Sequence, residues 1–237
     1  MIKTVLFDLD GTLLPMDQEK FMESYFGSIT SNMKSYGYEN SEELVKVIWA
    51  GTIDMVKNDG TKENYKVFWN TFINYYGDLG KNTMESFNEY YANHFDEVKK
   101  SCGFSPYVRD MIKKLKKAGM NVVLASNPVF PELAQKKRME WAGLDVEDFS
   151  FITTYENSHY CKPNPKYYEE ILERLKLKPE ECIMVGNDVA EDMVAESAGI
   201  KTFLITDCMI NKKGIDIEKY NKGSFEDFMK YMMVENV

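Results

Sequence analysis

The sequence predicts an α/β fold, namely a doubly wound parallel sheet of the Rossmann type with an inserted α-helical domain. Three observations support this prediction. Short apolar runs alternate with helical patterns from residue 101 onward. These runs are continuous rather than alternating with polar residues, as in strands whose two faces are both covered by helices. Residues 16–100, which separate the first run from the rest, form a longer interval than an ordinary loop connection.

The predicted strands are short and rich in β-branched residues. They cover residues 4–7, 121–125, 151–153, 182–185 and 201–205. Proline or polar residues begin the helices between them and glycines end them. One helix runs from residue 105 to Gly119 and a second from residue 131 to Gly143. A third begins at residue 164, and a fourth ends at Gly199. A last helix follows Ser224, with Phe225, Phe228, Met229 and Met232 on its buried face.

The interval after the first strand has a character of its own. Its helical patterns cover residues 17–36, 41–50, 62–76 and 83–100, and it holds 16 of the 32 aromatic residues. So many large rings suffice for a small helical core, and most of them are expected to pack there, with one or two facing a ligand. We therefore expect an α/β core formed by residues 1–15 and 101–237 and a helical cap domain formed by residues 16–100.

Composition excludes several classes of protein. The net charge of -9 and the pI near 5.0 argue against a nucleic-acid-binding surface. No apolar run approaches the roughly 20 residues that span a bilayer, and the N-terminus runs into the first strand without a signal-peptide pattern. The four cysteines form no CxxC pair, so we expect neither a zinc site nor a disulfide framework. This use of cysteine fits a reducing compartment, and we expect a cytoplasmic location.

Polar residues follow several predicted strands at their carboxyl ends, where open parallel sheets bind ligands. Asp8 and Asp10 follow the first strand, Ser126 and Asn127 the second, and Asp188 and Asp192 the fourth, while Lys162 precedes a helix. The Asp10–Gly11 pair alone is also typical of a hairpin turn. However, the two acids lie two residues apart and should share one side of an extended strand, where a cation would offset their repulsion.

The four acids Asp8, Asp10, Asp188 and Asp192 offer the oxygen ligands that Mg²⁺ prefers, together with water and phosphate oxygens. Lys162 is suited to neutralise a phosphate as a point charge. The hydroxyl of Ser126 and the backbone amides of Gly11 and Asn127 could donate to the remaining phosphate oxygens.

Four stretches resemble the ordered motifs of the haloacid dehalogenase superfamily: DLDGTL from Asp8 to Leu13, the strand-end Ser126, Lys162 in KPNP, and GNDVAED from Gly186 to Asp192. The long insert after the first motif resembles the first cap class, as in members similar to phosphoglycolate phosphatase and β-phosphoglucomutase. The resemblance implies that Asp8 is the nucleophile and forms an aspartyl-phosphate, and that Asp10 is the general acid and base. It also implies that Asp188 and Asp192 hold Mg²⁺ directly or through water.

The fourth motif departs from the commonest pattern, because Asn187 follows the glycine where many relatives have Asp. This leaves open which of Asn187, Asp188 and Asp192 contacts the metal. Asp188 could instead be a helix N-cap, with Glu191 as its capping-box partner.

The expected function is Mg²⁺-dependent hydrolysis of a small phosphorylated metabolite. A phosphomutase would use the same Asp8 and Asp10, and a non-catalytic phosphate-binding protein could share the fold, although four neighbouring acids would be costly without a metal. Phosphonate cleavage would need a lysine from the cap, such as Lys57 or Lys62. The polar loop 57–62 is either a specificity element or a solvated turn.

Overall fold

The computed structural model describes residues 1–81 and 83–235 of the chain, and its centre is one parallel β-sheet. The strands are β1 (Thr4–Phe7), β2 (Asn121–Leu124), β3 (Phe151–Ile152), β4 (Cys182–Gly186), β5 (Lys201–Ile205) and β6 (Lys222–Gly223). Within the described residues the sheet has six strands in the order β3-β2-β1-β4-β5-β6. Since the chain winds outward from the central β1 in both directions, the doubly wound α/β fold is confirmed.

The helices fall into two groups along the chain. Those between β1 and β2 are α1 (Gln18–Met33), α2 (Ser41–Val56), α3 (Asn64–Tyr76), α4 (Asp78–Lys81), α5 (Thr83–Asn93) and α6 (Val108–Lys117). The others are α7 (Glu132–Trp141), α8 (Pro165–Leu175) and α9 (Phe225–Glu235). In the described part of the chain, none of them is long and apolar enough to cross a membrane.

The predicted strands agree with the structure to within one residue at each end, but β6 is absent from the prediction. Its two residues, Lys222 and Gly223, carry no apolar run and become a strand only by pairing with β5. Two helix predictions are also wrong. The predicted helix 83–100 breaks at His94 into α5 and a 3-10 helix (Phe95–Ser101), and the helix that Gly199 ends is a 3-10 helix (Met193–Ala198).

Each of the central strands is buried on both faces of the sheet. Alternate residues point to opposite sides, so Val5 and Phe7 of β1 pack with α9, whereas Leu6 packs with α8. This two-sided burial explains why the strands lack the polar alternation of a half-exposed sheet.

The helices between β1 and α6 pack around aromatic rings. Tyr25 of α1 lies within 6.5 Å, between ring centroids, of Tyr91, Phe95 and Phe130. Phe130 precedes α7, so this aromatic cluster is continuous with the core beneath the sheet. The two ends of the helical segment meet where the amide of Gly103 donates to the carbonyl of Pro15 at 2.6 Å.

Gly51 accounts for the close crossing of α2 and α3. The prediction ended this helix at residue 50, but α2 continues to Val56 because Phe68 of α3 packs against the bare backbone of Gly51. A Cβ atom at position 51 would lie 2.7 Å from Cδ2 of Phe68, and that ring is itself enclosed by Trp69 and Phe72.

We expect Gly51→Ala to destabilise the protein by about 1 kcal/mol, because an overpacking cost of roughly 1–3 kcal/mol exceeds the gain in helix propensity of about 1 kcal/mol. Gly27→Ala in α1 is the matched control, since a Cβ there meets nothing within 4 Å, and it should stabilise by roughly 0.5–1 kcal/mol. Urea unfolding followed by circular dichroism measures both. Equal stabilisation by the two substitutions would contradict this account of the helix crossing.

Candidate active site

The carboxyl ends of β1, β2 and β4 lie side by side, so the residues that follow them are neighbours. Phe7, the last residue of β1, is in register with Leu124 of β2 and with Val185 of β4. The ladder continues one step further, because the amide of Asp8 donates to the carbonyl of Val185 at 2.9 Å. Asp8 is thereby fixed between the ends of two neighbouring strands.

Asp8 is held by a hydroxyl and by a buried cation. Its Oδ1 accepts from Nζ of Lys162 at 2.9 Å, and its Oδ2 lies 3.2 Å from the hydroxyl of Thr12. The same hydroxyl lies 2.9 Å from Oδ1 of Asn187, whose amide nitrogen donates to the carbonyl of Cys208. Asn187 thus ties the loop after β4 to the turn after β1.

Lys162 has no solvent-exposed side-chain surface and forms ion pairs with two carboxylates. Besides Asp8, its Nζ donates to Oδ1 of Asp192 at 2.6 Å. Burial alone would lower the pKa of Lys162, but the attraction of Asp192 and Asp8 raises it well above its ordinary value. The lysine is therefore a permanent positive charge beneath the two acids.

Asp192 is anchored through both of its oxygens. Its Oδ1 is bound by Lys162, and its Oδ2 accepts from the backbone amide of Asp188 at 2.9 Å. Gly186 makes room for this carboxylate, because a Cβ there would lie 2.1 Å from Oδ2.

The carboxylate of Asp188 closes a turn and does not cap a helix, because the 3-10 helix that follows begins at Met193, with Asp192 at its N-cap position. Its Oδ1 accepts from the amides of Ala190 and Glu191, at 2.8 and 3.0 Å. The expected capping box of Asp188 and Glu191 is therefore absent, and the Glu191 carboxylate instead accepts from the side chain of Asn127 at 3.0 Å. Burial raises the pKa of Glu191 to about 7.

Asp10 is paired with a different cation, the fully buried Arg138 of α7. One terminal nitrogen of Arg138 contacts Oδ2 of Asp10, and the other contacts the side-chain oxygen of Gln135. The guanidinium also lies over the ring of Phe130, 4.3 Å from its centroid. Burial raises the pKa of Asp10 above its ordinary value, and the charge of Arg138 opposes the rise.

The sequence analysis did not identify Arg138. It lies in the polar run QKKR, which is typical of a solvated helix face. The available signal was its spacing, four residues after Ala134 and three before Trp141, which places it on the buried face of α7.

The predicted phosphate donors lie in different surroundings. The side chain of Ser126 is buried, and none of the described residues bonds its hydroxyl, whereas its carbonyl accepts from Thr153 and Tyr167. The amide of Gly11 donates to the carbonyl of Leu14 at 2.8 Å, so it is committed to the turn. Gly11 has a φ of 84°, and a Cβ there would lie 2.3 Å from the side-chain nitrogen of Asn187.

The charges fit a hard cation, although among the described residues no three acidic, histidine or cysteine side chains are arranged as a metal cluster. Among the described residues, the buried cations are Lys162 and Arg138, and they face four carboxylates, those of Asp8, Asp10, Asp188 and Asp192. Oδ1 of Asp10 is buried with no partner in the described chain. Excess negative charge of this kind is what a divalent cation would offset.

These acids lie at one end of a cavity of about 490 Å³. Asp8, Asp10, Ser126, Asn127, Asp188 and Asp192 line it, and its far walls come from the helices after β1. The loop 57–62 is a hydrogen-bonded turn and is not among the lining residues. The histidines lie elsewhere, with His94 next to Glu97 and His159 bonded to Glu170.

The chain is similar to known proteins along most of its length. The sequence profile of the haloacid dehalogenase-like hydrolase family matches residues 2–199. Pyrophosphatase PpaX of Bacillus cereus strain G9842 is 26% identical over 208 residues, which cover 86% of this chain and 83% of that protein. Pyrophosphatase PpaX of Bacillus anthracis strain A0248 is 25% identical over the same shares of the two chains.

Solved structures share the fold at low sequence identity. A predicted phosphoglycolate phosphatase from Haemophilus somnus superposes with a TM-score of 0.60 at 21% identity, covering 98% of both chains. A predicted phosphatase from Clostridium acetobutylicum gives 0.57 at 17% identity, covering 99% of this chain and 100% of the other.

We expect Arg138→Met to destabilise the protein by about 3 kcal/mol, because it leaves the Asp10 carboxylate and Gln135 without their buried partner. Lys137→Met is the matched control, since the pair that Lys137 forms with Asp96 lies near the surface and should be worth at most about 1 kcal/mol. Chemical denaturation measures both. Adding Asp10→Asn to Arg138→Met should recover part of the lost stability. Equal losses of stability in the two Met variants would contradict a buried Asp10–Arg138 pair.

Proposed function

The chain belongs to the haloacid dehalogenase-like hydrolases, and from this premise we propose that it is a Mg²⁺-dependent phosphatase that hydrolyses a small phosphomonoester. The observation that carries the proposal is the buried Asp8–Lys162–Asp192 arrangement, which opens onto a cavity large enough to enclose a small molecule.

Asp8 is the proposed nucleophile. One of its carboxylate oxygens attacks phosphorus and the bond from phosphorus to the ester oxygen breaks, which gives an aspartyl-phosphate and an alcohol. Lys162 supports this step because its positive charge, 2.9 Å from Asp8, reduces the repulsion between the carboxylate and the phosphate dianion. Thr12 limits rotation of the carboxylate through the contact at Oδ2.

Asp10 is the proposed general acid and base. Burial raises its pKa, so its protonated form is more populated than that of an ordinary aspartate, as donation to a leaving alcohol requires. Arg138 holds one oxygen, and Oδ1 has no partner in the described chain and is available for the proton. After the alcohol leaves, the same carboxylate takes a proton from the water that attacks the aspartyl-phosphate.

The remaining phosphate oxygens would be bound by the groups after β2 and by Lys162. The hydroxyl of Ser126 and the backbone amide of Asn127 lie at the cavity, and Lys162 contributes its charge from below. Gly11 instead shapes the turn, because its amide is already bonded to Leu14.

Asp8, Asp188 and Asp192 are proposed to hold Mg²⁺ together with Asp10, which would contribute its backbone carbonyl oxygen. Asp188 is the best candidate for direct contact, since only one of its two oxygens is bonded, whereas both oxygens of Asp192 are occupied. When bound, Mg²⁺ would supply the positive charge that stabilises the phosphate oxygens during displacement.

Residues 16–100 are the proposed cap domain over a core formed by residues 1–15 and 101–237. The contact of Gly103 with Pro15 brings the two ends of this segment together, as an insertion requires. Inorganic pyrophosphate is a second candidate substrate, because relatives 26% identical to this chain carry the name pyrophosphatase.

We expect Asp8→Asn to lower the rate of phosphate release from p-nitrophenyl phosphate with Mg²⁺ by at least about 10³-fold, because an amide cannot attack phosphorus. Asp110→Asn on the exposed face of α6 is the control and should keep wild-type activity. Similar activity in Asp8→Asn and wild type would overturn the nucleophile, and an inactive wild type across a phosphoester panel would overturn the phosphatase. Conversion of glucose 1-phosphate without phosphate release would instead identify a phosphomutase.

We expect Mg²⁺ to raise the melting temperature of the wild-type protein, since a ligand that binds the folded state stabilises it by mass action. Asp188→Asn should shift this response to at least about tenfold higher Mg²⁺ concentration. Chelation with EDTA should abolish phosphate release, and added Mg²⁺ should restore it. An unchanged melting curve and full activity in EDTA would exclude the proposed metal.

A further inference from the structure

The cavity at the candidate active site is mostly apolar. Beyond the acids, its walls are rings and aliphatic groups from α1, α2, α3 and α5, including Phe26, Trp49, Phe68, Trp69, Phe87 and Tyr91. Phe130 and Tyr155 close it from the side of the sheet. A site that surrounds a polar molecule would instead need several donors and acceptors directed inward.

Most polar groups of the ring-bearing wall already take part in hydrogen bonds within the protein. The hydroxyls of Tyr25 and Tyr91 lie 2.7 Å apart, and the indole nitrogen of Trp69 donates to the hydroxyl of Tyr155 at 3.2 Å. The hydroxyl of Thr52 donates to the carbonyl of Ile48 at 2.9 Å. Because these groups are already bonded, they are poor partners for the hydroxyls of a ligand.

In the described part of the chain, the apolar end also offers a ligand no unpaired charge. Arg138 is already bonded to Asp10 and Gln135, and its guanidinium lies over the ring of Phe130. Burial raises the pKa of the hydroxyls of Tyr25, Tyr91 and Tyr155, which keeps them neutral. Of the other charged lining residues, Glu19 and Lys212 are exposed and Glu191 lies beside Asn127.

We propose that the substrate is the phosphate monoester of an apolar, ring-bearing primary alcohol, with the phosphate at the acids and the ring against the aromatic wall. This inference rests on the proposed phosphatase function and specifies its leaving group. Hydrolysis breaks the bond between phosphorus and the ester oxygen, water supplies the new oxygen on phosphorus, and the products are inorganic phosphate and the alcohol.

Sugar phosphates and pyrophosphate fit this cavity poorly. The hydroxyls of a sugar would lose their bonds to water and meet a wall that offers them few donors and acceptors. Pyrophosphate would place a second charged phosphate among the rings. The described cations at the cavity are Lys162, next to the acids, and the exposed Lys212, and neither lies among the rings. A leaving group that carries an aromatic ring loses no hydrogen bonds to water and brings no second charge into the cavity. It also buries apolar surface against the wall.

The test compares esters of primary alcohols, so that differences in the reactivity of their leaving groups are small, and adds inorganic pyrophosphate as the charged alternative. We expect kcat/KM for 2-phenylethyl phosphate to exceed that for glucose 6-phosphate, glycerol 3-phosphate and inorganic pyrophosphate by at least about tenfold. As an equilibrium measure, 2-phenylethylphosphonate should inhibit at least about tenfold more tightly than methylphosphonate, because only the former reaches the wall.

Trp49 provides the variant, since it lines the cavity while 44% exposed, so its truncation should leave the fold intact. Trp49→Ala should lower kcat/KM for 2-phenylethyl phosphate by at least about fivefold and leave that for methyl phosphate within about twofold. Tyr75→Ala, at an exposed ring of α3 outside the cavity, is the matched control and should change neither value.

The outcomes separate the inference from the function on which it rests. Equal or faster hydrolysis of the polar esters or of pyrophosphate would overturn the apolar substrate and leave the phosphatase standing. Equal losses for both esters in Trp49→Ala would also overturn the contact with the ring. Absence of hydrolysis across the whole panel with Mg²⁺, in a protein shown to be folded, would overturn both.

Discussion

The architecture of the site depends on one buried ammonium group. A lysine without solvent contact costs several kcal/mol unless its charge is compensated, and Lys162 is compensated by Asp8 and Asp192 together. Asp8 comes from the end of β1 and Asp192 from the loop after β4, while Lys162 precedes α8. The ion pairs therefore connect three distant stretches of the sequence, and none of the three side chains can move without leaving a buried charge unpaired.

The sequence predicted the parts of this arrangement that follow from local pattern. Continuous apolar runs located the strands, and the topology of a parallel sheet then placed Asp8, Ser126 and Asp188 near one another. Pairing between distant residues has no local signal, which is why Arg138 and the two-residue β6 escaped prediction. The break at His94 and the bond between Asp192 and the amide of Asp188 likewise depend on contacts that no single helical pattern encodes.

The helices after β1 contribute a wall rather than a filled core. Protein interiors normally pack to crystal-like density, so an apolar space of about 490 Å³ sacrifices dispersion contacts that the rings could otherwise make. The rings around the space are nevertheless tightly arranged, with Trp69 and Phe87 in an edge-to-face contact at 5.3 Å between centroids. Their mutual packing, together with the bonded tyrosine hydroxyls, keeps the wall rigid and its shape preserved.

Two aspartates separated by a single residue acquire different chemistry from their partners. Asp8 is bonded to Lys162, whose buried positive charge lies 2.9 Å from one of its carboxylate oxygens. Asp10 is turned toward Arg138 and Phe130, where burial outweighs the guanidinium charge and raises the pKa, as a proton donor requires. Arg138 comes from α7, the helix that follows Phe130, and it is bonded to Asp10. Phe130 belongs to the wall that would contact the leaving group. This wall and the cation beside Asp10 are therefore parts of one packed unit. In the proposed reaction, the same contacts would set the position of the leaving alcohol and that of the proton it receives.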